Sequence, residues 1–111
     1  MKKIVFAVSI VSLVTILSCT KDTTSNCGTT TFKYSSDISV VLNNKCNTSG
    51  CHNASAAGGI NLTTYTTVKD KSSNIRTRVN NNTMPPAGSP ALTADEKSKL
   101  FSWIDACSPN N

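Results

Sequence analysis

Apolar residues are distributed along this chain in three ways, and each predicts a different kind of structure. Near the N-terminus they are continuous: from Ile4 to Leu17 only Ser and Thr interrupt a 14-residue run. Further on they recur at helical spacing. Ile38, Val41 and Leu42 fall at i, i+3 and i+4, behind Ser35 or Ser36 as a cap and Asp37 in the first turn. That stripe predicts a helix running into Cys46. Leu62 to Val68, with Tyr65, predicts a second helical stretch, although threonines are weak helix formers. Ser72 to Val79 predicts a third, with Ile75 and Val79 at i and i+4 and Asn80-Asn81-Asn82 ending it. The sharpest signal is the last one. Thr93-Ala94-Asp95-Glu96 is a capping-box pattern, with Leu100, Phe101 and Ile104 as the apolar face and Trp103 at its edge. Phe101 and Trp103 read as core packing, while Lys97 and Lys99 point elsewhere. The helix should stop near Cys107, before Pro109, and pack on the Ile38/Val41/Leu42 stripe. Elsewhere periodicity is lost. Residues 20–33 are rich in Thr, Ser and Asn, residues 53–59 in Ala and Gly, and Met84 to Pro90 holds three prolines. The expected fold class is all-α.

The continuous run predicts a signal peptide. Met1-Lys2-Lys3 supplies the positive flank, and the run is too short for a spanning helix. Ser18 before Cys19 makes it resemble a bacterial lipoprotein signal, which implies Cys19 as the lipid-modified first residue of the mature chain. Residues 1–18 are then removed, residues 19–33 tether the lipid, and residues 34–111 form one domain. The protein is expected outside the cytoplasm, anchored to a bacterial membrane at its periplasmic face or at the cell surface. An ordinary secretory signal, with Cys19 incidental, is the alternative. Lys21 and Asp22 resemble surface-export signals of some lipoproteins, but two residues do not decide the leaflet.

Composition narrows what such a domain can be. Removal of 18 residues leaves 93 of 111, of which 30 are apolar. A chain this short buries only about 60–65% of its unfolded surface. It should therefore need a staple: a disulfide, a metal or a cofactor. The mature net charge is +3, from nine Lys/Arg and six Asp/Glu. Lys69, Lys71, Arg76 and Arg78 lie close together, most simply as a solvated helix face. Nucleic acid is not an expected partner, because the compartment is wrong and no aromatics interleave with the basic residues.

Cys46-Asn47-Thr48-Ser49-Gly50-Cys51-His52 carries the candidate chemistry. Two cysteines followed at once by the chain's single histidine are what covalent haem attachment needs. The thiols add to the haem vinyl groups, and the histidine is delivered to iron. The usual spacing has two residues between the cysteines, and here there are four. A disulfide is the plainer use of such a loop in an exported protein. Five cysteines are an odd number. If lipid takes Cys19 and haem takes Cys46 and Cys51, then Cys27 and Cys107 remain as a pair. If haem is absent, four cysteines allow three pairings and the sequence does not choose. Met84 is the only methionine of the mature chain and opens the proline-rich loop. A core filler would sit at helical spacing among apolar residues. A thioether in a stiff loop is also a soft, neutral ligand of the kind that pairs with His on haem iron. Arg76 or Arg78 could pair with haem propionates.

Taken in order, Tyr34-Ser35-Ser36-Asp37-Ile38, the Cys46–His52 motif, Gly58-Gly59-Ile60-Asn61-Leu62, Met84-Pro85-Pro86 and Trp103-Ile104-Asp105 resemble the small class I-type c-type cytochrome domains of Bacteroidota-like lipoproteins. The resemblance covers residues 34–107. It implies one covalent haem c, wrapped by packed N- and C-terminal helices. It also implies Cys46 and Cys51 as thioether attachments, His52 as proximal and Met84 as distal iron ligand. The implied function is outer-sphere electron transfer with unidentified redox partner proteins. With both axial positions filled and no nucleophile–base pair, no enzyme is expected. Two other classes stay open: a haem-c ligand-binding or sensor domain with a labile Met84, and a haem-free lipoprotein stapled by disulfides. A zinc site is weaker, since adjacent Cys51 and His52 rarely reach one tetrahedral ion together. Sequons at Asn47, Asn53, Asn61 and Asn81 would matter only in a eukaryotic secreted protein.

Overall fold

A computed structural model describes residues 26–56 and 59–111. The signal segment and Cys19 lie outside the described residues. Within them the fold is all-α, with four α-helices and no strand.

The chain enters along the last helix. The backbone N–H of Gly28 donates to the carbonyl of Asp105 at 3.0 Å, and a side chain at Gly28 would press on that same oxygen. Thr30 and Ser102 share a hydroxyl bond at 3.1 Å, and Phe32 packs on the core. Residues 27–33, expected within the tether, are thus docked on the domain. Tyr34–Ile38 then forms one π-helical turn that runs directly into α1, Ser39–Lys45. Neither Ser35 nor Ser36 caps it. Asp37 does so instead, accepting from the backbone N–H of Lys33 at 2.9 Å and from the Ser36 hydroxyl at 3.0 Å. A carboxylate makes the stronger, charge-assisted acceptor. Those two bonds, the backbone one first, hold its pKa below the ordinary carboxylate value.

The remaining helices follow the expected order with shifted edges. α2 is Tyr65–Asp70, and it starts late because the Thr64 side chain caps it by accepting from the N–H of Thr67. Leu62 is buried but precedes the helix. α3 is Ser72–Asn80, with Ile75 and Val79 buried as their spacing predicts. α4 is Ala94–Asp105, and its capping box is complete: Glu96 N–H to the Thr93 hydroxyl at 3.2 Å, Thr93 N–H to the Glu96 carboxylate at 2.8 Å.

The core gathers Ile38, Val41, Leu42, Val68, Val79 and Leu100 around Trp103. Trp103 is 0% exposed, not at an edge, and its indole N–H donates to the carbonyl of Pro109 at 2.9 Å. Tyr34 stacks beside it at 5.6 Å, which packs the first turn of the N-terminal helical segment on α4. α4 ends in a Schellman motif. Ser108 N–H returns to the carbonyl of Trp103, and Cys107 N–H to that of Ile104. Cys107 occupies the left-handed position, φ +62°, where glycine is usual. A disulfide joins it to Cys27 across 80 residues of sequence. The expected Cys27–Cys107 pairing is therefore present.

Candidate functional site

The Cys46–His52 stretch is the loop that leaves α1. Cys46 and Asn47 both donate their backbone N–H groups to the carbonyl of Leu42, at 2.8 Å each. Cys46 thereby stays on the helix end. The long spacer is absorbed by a turn from Thr48 to Cys51, closed by Cys51 N–H to the Thr48 carbonyl at 3.0 Å. Gly50 stands at its third position with φ +78°, which only glycine adopts without strain. His52 N–H then reaches back to the carbonyl of Cys46 at 3.0 Å. The four-residue spacer folds into a local turn, and Cys46, Cys51 and His52 end on one cavity.

His52 has a defined tautomer. Its Nδ1 lies 2.9 Å from the carbonyl oxygen of Ile60. A carbonyl only accepts, so in the neutral imidazole Nδ1 carries the proton and Nε2 keeps its lone pair. That arrangement is what a metal-ligating imidazole needs. The acceptor itself is held, since Leu62 N–H donates to the His52 carbonyl at 2.8 Å.

Met84 arrives from the end of α3. A second Schellman motif closes that helix: Thr83 N–H donates to Arg78 carbonyl at 2.9 Å and Asn82 N–H to Val79 carbonyl at 3.2 Å. Asn82 takes the left-handed position, φ +54°, and its side chain accepts from Lys97 of α4 at 2.9 Å. Met84 N–H shares the Arg78 carbonyl at 3.2 Å. The methionine is therefore placed by backbone bonds and is 38% exposed. It lies outside the apolar core, which rules against the filler reading.

These residues line two adjoining cavities, or lobes, that share Cys46, His52 and Met84. The smaller, about 140 Å³, is lined by Lys45, Cys46, Cys51, His52, Met84 and Pro86, among others. The larger, about 310 Å³, lies between the same Cys46, His52 and Met84 and the face of α3 bearing Ile75, Arg78 and Val79. Ile60, Leu62, Lys71 and Asn74 complete it. No carboxylate lines either lobe. Cys46 and Cys51 are free thiols. Burial, with smaller contributions from Cys51 and Glu96, pushes the Cys46 thiol up to about 11.

Of the two arginines considered for carboxylate pairing, Arg76 is committed elsewhere. It binds Asp105 of α4 through Nε at 2.8 Å and an Nη at 2.9 Å, and lies 4.5 Å over the Phe101 ring. Arg78 lines the larger lobe instead. Among the described residues no three His, Cys, Asp or Glu side chains form a group that could hold a bare metal ion, so the zinc alternative finds no site there. No family model, curated protein or solved structure matches this chain.

Proposed function

We propose that the protein is a membrane-anchored mono-haem c-type cytochrome that carries single electrons by outer-sphere transfer. The observation that carries this reading is the convergence of Cys46, Cys51, His52 and Met84 on one cavity free of carboxylates. The residues fit haem c in their chemistry. Two thiols suit thioether bonds, an imidazole with Nε2 free suits iron, and a thioether is the usual partner of His in electron carriers. When bound, haem c supplies a one-electron ferric–ferrous couple.

The chain's own contributions are separable. Cys46 and Cys51 hold the group covalently. The Ile60 carbonyl keeps the His52 proton on Nδ1 and fixes the ring. Met84 offers a soft donor that favours the ferrous state and raises the potential. Ile60, Leu62, Ile75 and Val79 exclude water from the larger lobe. Lys71 and Arg78 line that lobe as cations suited to propionate carboxylates. Cys19 anchors the domain to the membrane by its lipid. The chain is not an enzyme on its own.

The test is the alkaline-pyridine spectrum of protein expressed with a haem-c maturation system. A c-type spectrum is expected. Colourless protein from a host that matures other c-type haems overturns the reading. A second reading, a haem-c domain that binds small ligands, draws on the 38% exposure of Met84. Under the carrier reading the oxidised protein shows a far-red sulfur–iron band, and ferrous wild type binds carbon monoxide poorly. Met84→Ala then binds it readily, and Met84→His lowers the potential. A wild type without that band that binds carbon monoxide as Met84→Ala does favours the second reading.

A further inference from the structure

We propose that Asn47 is a positioning residue for the His52 imidazole, acting through the Ile60–Leu62 segment. The Asn47 side-chain amide donates from Nδ2 to two oxygens, Oδ1 of Asn43 at 2.9 Å and the carbonyl of Leu62 at 3.0 Å. The Leu62 carbonyl only accepts, so the orientation of the Asn47 amide is fixed by its surroundings. Its backbone N–H is bonded to Leu42, which makes Asn47 part of the end of α1. The helix thus grips the Ile60–Leu62 segment at Leu62. Two residues earlier, the same segment presents the Ile60 carbonyl that binds His52 Nδ1.

The donating end of the amide is the end that is used, since Nδ2 serves both Asn43 and Leu62. What the donor secures is the distance from α1 to the carbonyl that decides the tautomer of the only histidine.

A neutral imidazole has one N–H. With Ile60 held, that proton stays on Nδ1 and Nε2 keeps its lone pair. Without the Asn47 bond the segment keeps the Leu62 N–H bond to the His52 carbonyl but loses its tie to α1. The Ile60 carbonyl can then move off Nδ1 and the proton can pass to Nε2, which no longer serves as a donor to metal. A looser Nδ1–H···O bond also makes the imidazole less basic, which weakens its support of ferric iron. The effect on iron rests on the haem reading, whereas the effect on the tautomer does not.

The test therefore has two arms. In the folded, haem-free full chain at alkaline pH, the ¹⁵N shifts of the His52 ring report its tautomer. Wild type should hold the Nδ1–H form, as should Asn43→Ala, which spares the Leu62 bond. Asn47→Ala should shift the ring largely to Nε2–H. If Asn47→Ala does not fold, hydrogen exchange in wild type decides. The His52 Nδ1–H and the Asn47 side-chain amide protons should then be lost in one shared local opening, and independent exchange overturns the proposal. In haem-loaded protein, Asn47→Ala should raise the reduction potential with His52 still bound. An unchanged tautomer and an unchanged potential together overturn the role of Asn47. Failure to load haem at all overturns the electron-carrier reading and leaves the tautomer arm to decide the rest.

Discussion

The two ends of α4 are built on different rules. At its C-terminal end the aromatic side chains and the cysteine are all committed. Trp103 is buried with its N–H bonded to Pro109, and the Tyr65 hydroxyl donates to the carbonyl of Ser108 at 2.9 Å. Cys107 is tied to Cys27. At the N-terminal end the neighbours are the end of α1 and loops. Lys45 reaches Glu96 at 3.6 Å and the carbonyl of Ala91 at 3.1 Å, and Lys97 holds Asn82. Beyond those contacts lies the cavity, with two free thiols and an imidazole nitrogen uncommitted. Packing and cross-linking are concentrated at one end, and unused donor chemistry at the other. A small domain with few apolar residues can keep reactive groups unpaired only if its stability comes from elsewhere.

Breaking the closed end should have the largest effect. Cys27→Ser with Cys107→Ser frees an 80-residue loop and should cost about 4–5 kcal/mol in the chain-entropy model, read by urea unfolding. The cavity residues should remain chemically competent in whatever fraction stays folded. Next comes pH at the open end. The unfolded Cys46 thiol titrates near its ordinary value of 9.0, and the folded one at about 11. The folded state thus retains the proton more strongly. Stability of the haem-free protein should be undiminished below about pH 9 and fall from there to about pH 11, by up to ~2–3 kcal/mol. Cys46→Ser should remove that fall. Gly50→Ala should cost about 1–2 kcal/mol, because the spacer turn needs φ > 0. It should also slow any chemistry that requires Cys46 and Cys51 side by side, measured as cross-linking by a short bifunctional alkylating reagent. The smallest effect sharpens the closed end. In a Cys27→Ser background, Cys107→Gly should be more stable than Cys107→Ser by about 1 kcal/mol, since glycine relieves the left-handed position.

Much of the frame was legible in the sequence because it is local. Thr93 and Glu96 announced the start of α4, and Ile75 and Val79 the buried face of α3. What escaped depended on contacts between distant residues. Trp103 looked marginal by spacing alone, yet Tyr34 and Pro109 enclose it. The apolar stretch from Leu62 looked helical, but the Thr64 cap delays α2 to Tyr65. Arg76 and Arg78 were equivalent by composition. Asp105 on another helix takes the first and leaves the second to the cavity. Residues 27–33 had no periodicity because they dock through backbone bonds and a single Phe32. At the site, the clustering of Cys46, Cys51 and His52 could be read directly, and Met84 through its unusual loop. Asn47 could not, since an asparagine in a spacer carries no signal until its bonds to Asn43 and Leu62 are seen.

The central claim is that the open end exists to hold a covalent group. The most direct measurement is the intact mass of the denatured, reduced chain after expression with haem-c maturation. One haem added to the polypeptide is expected, lost when Cys46 and Cys51 are both replaced by Ala. A wild-type chain with the mass of the polypeptide alone, and with both thiols at 46 and 51 open to alkylation, would contradict it.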